Sequence, residues 1–195
     1  MGPWYARMAD IPGIQFAGSP GVDRASLPEV RVRPRAESGF VVWPSPRGET
    51  SASPAHRRAF ADLTLMSRDE LVRWVWEGLE LPGEPSDYHF LLQGAVERLW
   101  SRRRDDPDGL LLVETFAYLD LALVEAAPQA VVLDGADPAR GFVHILTLDR
   151  LLTLLEREGA LREALALSRR AERFGERYRR APLEAKVAAL EGERV

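Results

Sequence analysis

Cysteine and asparagine are absent from this chain of 195 residues, and Lys186 is its only lysine. Without cysteine the protein can form no disulfide, no thiolate zinc site and no cysteine nucleophile. Because Lys186 is the only lysine, the basic residues are nearly all arginine, a bias that indicates a GC-rich bacterial genome. The lack of the thermolabile residues asparagine and cysteine is typical of a thermophile. The absence of cysteine thus excludes several enzyme classes.

Long uninterrupted apolar runs are missing too. The longest apolar tract is broken by Glu114, Asp120 and Glu125, and the first residues show no apolar stretch behind a charged start. We therefore expect neither a membrane helix nor a signal peptide. A hydrophobic share of 46% and a formal net charge of −4 indicate a globular protein without overall attraction to nucleic acid or membranes. The sequence predicts a soluble cytoplasmic protein.

No pattern of catalytic residues passes a check of spacing. His56, His89 and His144 lie far apart, and glycine-rich nucleotide loops and nucleophile elbows are absent. Asp134 and Asp137 could form an acid–base pair in a cleft, but their Gly and Pro neighbours favour a polar loop. We expect no catalytic residue, no cofactor and no bound metal.

Composition divides the chain into an arm and a helical part. Proline and glycine are frequent in residues 1–52, which excludes a long helix and predicts an extended arm. Residues 53–195 are predicted to form an α-helical domain. Within the arm, the alternating segments 29–33 and 39–43 are predicted to pair as a short β-hairpin. Such a hairpin is marginal alone, so we expect it to lean on the helical body or on another chain.

After residue 53, apolar side chains recur every three to four positions, which predicts an antiparallel bundle or a helical repeat. Ser53 and Pro54 open a short helix, and Ser67 and Glu70 have the spacing of a capping box at the start of the next. Segment 129–137 fits a helix tail and loop better than a strand. The remaining helices are predicted at 86–104 with Ser86 as its cap, at 110–127, 142–158, 160–180 and 182–191.

A helical hairpin is predicted within 142–180, where small and apolar residues recur at fixed spacing: Leu148, Leu151, Leu152, Leu155, Gly159, Ala164, Ser168 and Ala171. The leucines match the first helix of a tetratricopeptide repeat, the glycine lies at the bend, and the alanines allow a second helix to approach closely. Residues 145–178 therefore resemble one such repeat. Leu152 replaces the family's glycine, and Ser168 replaces its phenylalanine. One repeat cannot bury its own face, so the preceding helices would serve as degenerate neighbours.

The resemblance implies a partner-binding face. Asp149, Thr153 and Glu156 would line the concave surface of the repeat. Family members that grip a peptide's terminal carboxylate carry lysine and asparagine at such positions. The acidic residues here are the wrong chemistry for that ligand, so we do not expect a receptor for carboxylate tails.

Large aromatic residues in the arm are further candidates for partner binding. Trp4, Tyr5 and Trp43 lie on irregular segments, where big rings suit insertion into a pocket. The pocket could belong to another chain or to this one, and packing within the chain is the commoner case.

Arginines recur in the last third of the chain, and they are the best signal for nucleic-acid binding: Arg162, Arg169, Arg173, Arg177 and Arg180. On one continuous helix they would share a face that could follow phosphates. Glutamates at 163, 172 and 176 alternate with them and favour a salt-bridged surface instead. Of these arginines, Arg169, Arg173 and Arg177 are retained as candidate partner contacts.

A non-enzymatic interaction or scaffold protein is the leading hypothesis, because chemical motifs are lacking and a partner-binding hairpin is predicted. The partner would be another protein, or a second copy bound through the arm. A regulatory nucleic-acid-binding protein that uses the arginines is the first alternative. An enzyme with an unrecognised site of Asp, Glu and His residues is the second.

Overall fold

The computed structural model describes residues 5–37 and 40–192, and the chain divides after Val131 into two compact units, 1–131 and 132–195. As the sequence predicts, the described part is mostly α-helical, with seven α-helices, short 3-10 turns and a small antiparallel sheet. The helices are α1 Pro54–Ala59, α2 Arg68–Leu79, α3 Pro85–Ser101, α4 Leu110–Ala126, α5 Leu146–Arg157, α6 Leu161–Ala171 and α7 Ala181–Gly192.

The sheet consists of β1 Arg35–Glu37, β2 Phe40–Ser45 and β3 Gly48–Thr50, in the order β1-β2-β3. It confirms a short N-terminal β-hairpin, with Ala36 opposite Val41 and Trp43 opposite Thr50. The first strand was predicted wrongly at 29–33. Pro28 opens a 3-10 helix over Pro28–Arg31, because its fixed φ suits the first helical position. The first strand, β1, therefore lies between the two predicted strand segments, 29–33 and 39–43.

Helix starts follow their caps. Ser53 caps α1 by accepting a hydrogen bond from the backbone N–H of His56 at 2.9 Å, and the capping box of Ser67 and Glu70 is present at α2. The predicted cap of α3 at Ser86 is wrong. That helix begins after Glu84, because Pro85 takes the first helical position and the carboxylate of Asp87 accepts from the N–H of Glu84 at 2.9 Å.

Helices α3 and α4 form the centre of unit 1. Leu91 and Val96 of α3 and Phe116 of α4 are fully buried. The same core contains a histidine–aspartate pair, in which Nδ1 of His89 lies 2.8 Å from Oδ1 of Asp120. Both side chains are 0% exposed, so neither exchanges its partner for water.

The arm is attached to the helical body of unit 1 by hydrogen bonds. Ala6 and Gly83 exchange backbone hydrogen bonds of 3.3 and 3.2 Å. The hydroxyl of Tyr88 lies 2.8 Å from the carbonyl oxygen of Leu81 and also contacts the carbonyl of Ala6, and burial raises the pKa of this tyrosine well above its usual range. Contacts thus group the predicted arm with α1–α4 and divide the predicted helical domain after Val131.

Glu80 is the main electrostatic anchor of the arm. Its carboxylate is 3% exposed, accepts from the backbone N–H of Ser19 at 2.7 Å and lies 2.9 Å from Nη1 of Arg7. Arg24 adds a longer contact of 4.0 Å. A buried carboxylate held by a backbone donor and two guanidinium groups is fully compensated, so it can fix the path of an otherwise irregular segment.

Unit 2 contains α5, α6 and α7. Gly159 ends α5 with a φ of +76°, a conformation that glycine adopts without strain, and α6 then begins at Leu161. The predicted helix over 160–180 is wrong beyond Ala171. Two 3-10 turns follow, Glu172–Phe174 and Glu176–Tyr178, separated by Gly175 with a φ of +140°.

Side chains of Ser168 and Tyr178 explain why α6 ends early. Ser168 Oγ donates to the carbonyl of Tyr178 at 2.7 Å and accepts from the N–H of Arg180 at 2.8 Å. The Tyr178 hydroxyl in turn accepts from the N–H of Ile145 at 2.7 Å. These bonds satisfy the backbone where the helix has stopped. Segment 129–137 contains no strand: its first residues belong to a 3-10 turn, Pro128–Val131, and Val132 forms one isolated bridge to Phe142.

Replacing Asp120 by alanine should destabilise unit 1 by about 2–4 kcal/mol, because the buried imidazole of His89 would lose its partner. Urea unfolding followed by circular dichroism measures the change. Asp105→Ala, at an exposed position with the same substitution, should shift the midpoint by less than about 0.5 kcal/mol. Equal effects from the two variants would contradict a stabilising role for the buried pair.

Glu80→Gln should loosen the arm without unfolding the helices, since the carboxylate binds both Arg7 and the backbone of Ser19. Limited trypsin digestion with mass spectrometry should show earlier cleavage after Arg7 and Arg24 than in the original protein. Asp10→Asn is the control, because it removes only a half-exposed partner of the same Arg7. Unchanged cleavage in Glu80→Gln would show that the arm is held by other contacts.

Candidate functional site

A small pocket of about 130 Å³ lies between the sheet and the first residues of α1 and α3. We call it the histidine pocket, and define it by its lining residues Tyr5, Val41, Trp43, Ser51, Ser53, His56, Glu84 and Asp87. Arm, sheet and helices of unit 1 all contribute to it. It is the candidate site with the most organised polar side chains.

Asp87 organises the polar wall of the histidine pocket. Oδ1 lies 3.0 Å from Nδ1 of His56, and Oδ2 accepts from Ser53 Oγ at 2.7 Å and from the N–H of Glu84 at 2.9 Å. An ionised carboxylate is an acceptor only, so Nδ1 carries a proton, and in the neutral ring Nε2 has the lone pair. The imidazole is 45% exposed and the carboxylate 8%, which leaves His56 accessible while Asp87 fixes its tautomer.

Gly83 permits this arrangement. A Cβ at this position would lie 2.4 Å from Cβ of Ala55 and 3.1 Å from Oδ2 of Asp87. Only a residue without a side chain lets the start of α1 approach the start of α3 so closely. The distance between Ser53 and Asp87 therefore depends on a glycine that lies outside both helices.

Aromatic rings form the apolar wall of the histidine pocket. Trp43 is 4% exposed and lies on β2, and its ring centroid is 5.1 Å from that of Tyr5, with an interplanar angle of 74°. Two of the three predicted arm aromatics are thus brought together within the chain, while Trp4 lies outside the described residues. Trp43 packs in its own unit, so it offers little surface to a partner.

A second, shallower depression of about 420 Å³ runs along α2. We call it the α2 groove, and define it by Asp62, Leu65, Met66, Glu70, Arg73, Trp74 and Glu77. Leu65 is 93% exposed at its edge. Trp74 is held in place, since its indole N–H donates to the carbonyl of Arg58 at 3.1 Å and the Arg58 guanidinium lies 3.8 Å from its ring centroid.

Three carboxylates and one guanidinium, that of Arg73, line the α2 groove. Hydrogen bonds from Thr64 lower the pKa of Asp62, and hydrogen bonds from Ser67 lower the pKa of Glu70. Both carboxylates therefore stay ionised at neutral pH. Glu77 adds a third carboxylate, paired at 3.2 Å with Arg58.

The predicted partner face on α5 is engaged within unit 2. Arg180 bridges Asp149 at 3.3 Å and Glu156 at 3.6 Å, and His144 also contacts Asp149. Thr153 donates to the backbone carbonyl of Asp149 at 2.7 Å. These residues lie together as predicted from the helical period, but their carboxylates already have cationic partners.

The predicted arginine face is not continuous, because Gly175 separates two 3-10 turns after α6. Arg169 lies on α6 and pairs with Glu184 at 3.5 Å. Arg173 lies over the ring of the adjacent Phe174, 4.7 Å from its centroid, and Arg177 is on the second turn. These arginines therefore do not share the single helical face that the nucleic-acid alternative would need, and the two ring and ion-pair contacts accord with the favoured salt-bridged surface.

Other candidate chemistry has ordinary structural partners. Asp134 accepts from the N–H of Ala136 at 2.9 Å and pairs with Arg140 at 3.0 Å, and the Ala136 hydrogen bond is the main cause that lowers the pKa of Asp134. A lowered pKa is the opposite of what a general acid needs at neutral pH. Within residues 5–37 and 40–192 there is no group of three His, Asp or Glu residues suited to a metal ion.

Sequence reasoning missed the two carboxylates of the histidine pocket, Glu84 and Asp87. Ser53 was recognised as a helix cap and His56 was noted, but Asp87 lies 31 residues after His56, and no spacing rule joins positions so far apart. A local signal existed in Gly83 and Pro85, which mark a tight helix start where Asp87 takes the third helical position.

Comparison with known proteins adds no relative: no family model, curated protein or solved structure matches the chain. The tetratricopeptide resemblance of residues 145–178 therefore stays a prediction. In the part of the chain that the structure describes, no helix is both long and apolar enough to cross a bilayer.

Gly83→Ala should destabilise the protein by about 1–3 kcal/mol through overpacking against Ala55, and should disturb the pairing of His56 with Asp87. Urea unfolding and the proton NMR signals of the His56 ring report the two effects. Gly94→Ala in α3 is the matched control, because its new Cβ would lie 3.5 Å from Leu63, an ordinary contact. That variant should lose nothing and gain up to about 1 kcal/mol from helix propensity. An unchanged His56 signal in Gly83→Ala would contradict the role of this glycine.

Proposed function

We propose that this protein is a non-enzymatic interaction protein that binds a basic amphipathic segment of a partner protein in the α2 groove. The observation that carries the proposal is Leu65, a large apolar side chain 93% exposed beside the groove. Burying such a side chain in a complex is worth about 1.5–3 kcal/mol. Apolar side chains gathered in a depression are typical of partner sites.

The chemistry of the groove selects the partner. Asp62 and Glu70 remain ionised at its rim, while Leu65, Met66 and Trp74 supply its apolar surface. An amphipathic segment with lysine or arginine beside its apolar face would complement both. The carboxylates would speed association and select against acidic partners, and the apolar contact would supply most of the affinity.

Preorganisation of Trp74 also supports the proposal. The indole is fixed by a hydrogen bond to Arg58 and by that residue's guanidinium above the ring. A side chain already held in one position loses little rotamer freedom on binding. Tryptophan is also a residue type enriched among the strongest contacts of interfaces.

The face of α5 is the weaker candidate for the same function. Asp149 and Glu156 are bound to Arg180, so a cationic partner would have to displace that guanidinium. If residues 145–178 form a tetratricopeptide-like repeat, the α5 face would be concave and would act as a secondary binding surface. We expect a partner to bind this face with lower affinity than the α2 groove.

Methyl-labelled methionine provides a direct test, since the chain has three methionines: Met1, Met8 and Met66. Met8 is fully buried and Met66 lies in the α2 groove. A synthetic amphipathic helical peptide of leucine and lysine should shift the Met66 signal in a saturable way, and a leucine and glutamate peptide of the same apolar pattern should not. Met66→Leu identifies the signal.

Leu65→Ser should weaken binding of the lysine peptide about tenfold or more, because an apolar contact is lost. Leu111→Ser is the control, since Leu111 is 70% exposed on α4 and does not line the groove. Equal weakening by both variants, or equal binding of the acidic peptide, would contradict the proposal. A Met66 shift that grows with protein concentration alone would replace the partner with a second copy of the chain.

A further inference from the structure

An imidazole and two carboxylates form the polar wall of the histidine pocket. When the His56 ring is neutral, Nδ1 donates a hydrogen bond to Asp87 and Nε2 has a lone pair. The Ser53 hydroxyl and the N–H of Glu84 both donate to the same carboxylate. Tyr5, Trp43 and Ser51 add donor groups to the lining, so the acceptors that favour a cationic ligand are those of His56 and Glu84.

The charges of the lining residues also favour a cationic ligand. Glu84 and Asp87 are acidic, and among the described residues the lining includes no arginine or lysine. Asp87 is compensated by His56 and by two further donors, whereas Glu84 has no ion-pair partner in residues 5–37 and 40–192. An anionic ligand would be repelled at short range, and a cation would be attracted.

The apolar wall also suits a cation. The rings of Tyr5 and Trp43 stand at 74° to each other, so they form two sides of a corner. The electron-rich face of an aromatic ring attracts a cation within about 6 Å of its centroid. The guanidinium of Arg33 lies 5.8 Å from the centroid of Tyr5, so this ring already has one cationic neighbour.

Size limits the ligand to a small group. The pocket volume of about 130 Å³ is close to that of a cavity of about 150 Å³ that takes one benzene molecule. We infer that the histidine pocket binds a primary ammonium group, as a free small amine or as the end of a lysine side chain on a partner. The N–H groups of the ammonium donate to the Glu84 carboxylate and to Nε2 of the neutral His56 ring, and its carbon chain contacts Tyr5.

Histidine NMR tests this inference directly. The chain has three histidines, so the ring C2–H signals are few, and His56→Gln identifies the one from the pocket. The full-length protein is titrated at constant ionic strength with methylammonium chloride, tetramethylammonium chloride and sodium acetate. Methylammonium should shift the His56 signal in a saturable way. Tetramethylammonium, which has no N–H donor, should bind about tenfold more weakly, and acetate should cause no shift.

Variants separate the pocket from general charge effects. Glu84→Gln should weaken methylammonium binding about tenfold through loss of a charge-assisted hydrogen bond, without the cavity that alanine would leave. Glu158→Gln changes the net charge equally at an exposed position of unit 2, and should leave the affinity unchanged. Circular dichroism confirms that both variants fold. The inference is overturned if no saturable shift occurs, if acetate competes, or if the two variants behave alike.

A lysine derivative blocked at its amino and carboxyl groups then distinguishes the two sources of the ammonium. Tighter binding than methylammonium identifies the pocket as a site for a partner's lysine side chain. Weaker binding identifies a free amine as the ligand. This experiment is independent of the α2 groove, because Leu65→Ser should leave the His56 titration unchanged.

Discussion

The segment from Glu80 to Tyr88 makes the hydrogen bonds that join the arm, α1 and α3 in unit 1. Glu80 binds the arm through Arg7 and Ser19, Gly83 pairs with Ala6, and Asp87 binds the start of α1. Burial makes each of these polar contacts specific, since an unpaired carboxylate or backbone group there would cost several kcal/mol, of order 1–3 for each hydrogen bond lost. The path of the arm, the start of two helices and the shape of the histidine pocket therefore depend on one turn between α2 and α3.

The two proposed sites use side chains in different ways. Leu65 in the α2 groove exposes an apolar side chain to water, and a partner that covers it would remove the unfavourable free energy of that exposure. His56 in the histidine pocket is positioned by a buried carboxylate, so its ring has a fixed orientation. A broad apolar depression suits a polypeptide, and a small pocket with acidic residues suits a single charged group. The chemistry of one site therefore does not duplicate that of the other.

The local patterns predicted what local physics decides. The capping box of Ser67 and Glu70 correctly predicted where α2 begins, because both residues lie within one turn of the helix start. The end of α6 was missed because it depends on Ser168 contacting Tyr178, a contact across ten residues and two turns. Asp87 was missed as a site residue for the same reason, since its contact with His56 spans 31 residues of the sequence. Tertiary hydrogen bonds between distant segments leave little trace in spacing, and they decide both the helix end and the pocket.

Tyr5 lies in the pocket wall, and its neighbour Ala6 forms the backbone bridge that attaches the arm. If the pocket binds a ligand as proposed, its occupancy and the attachment of Tyr5 and Ala6 are thermodynamically linked. A ligand that contacts Tyr5 would give part of its binding free energy to keeping this segment in place, and by reciprocity detachment of the segment would lower the affinity by the same factor. Protection of the Ala6 backbone would then depend on whether the cavity beside it is filled.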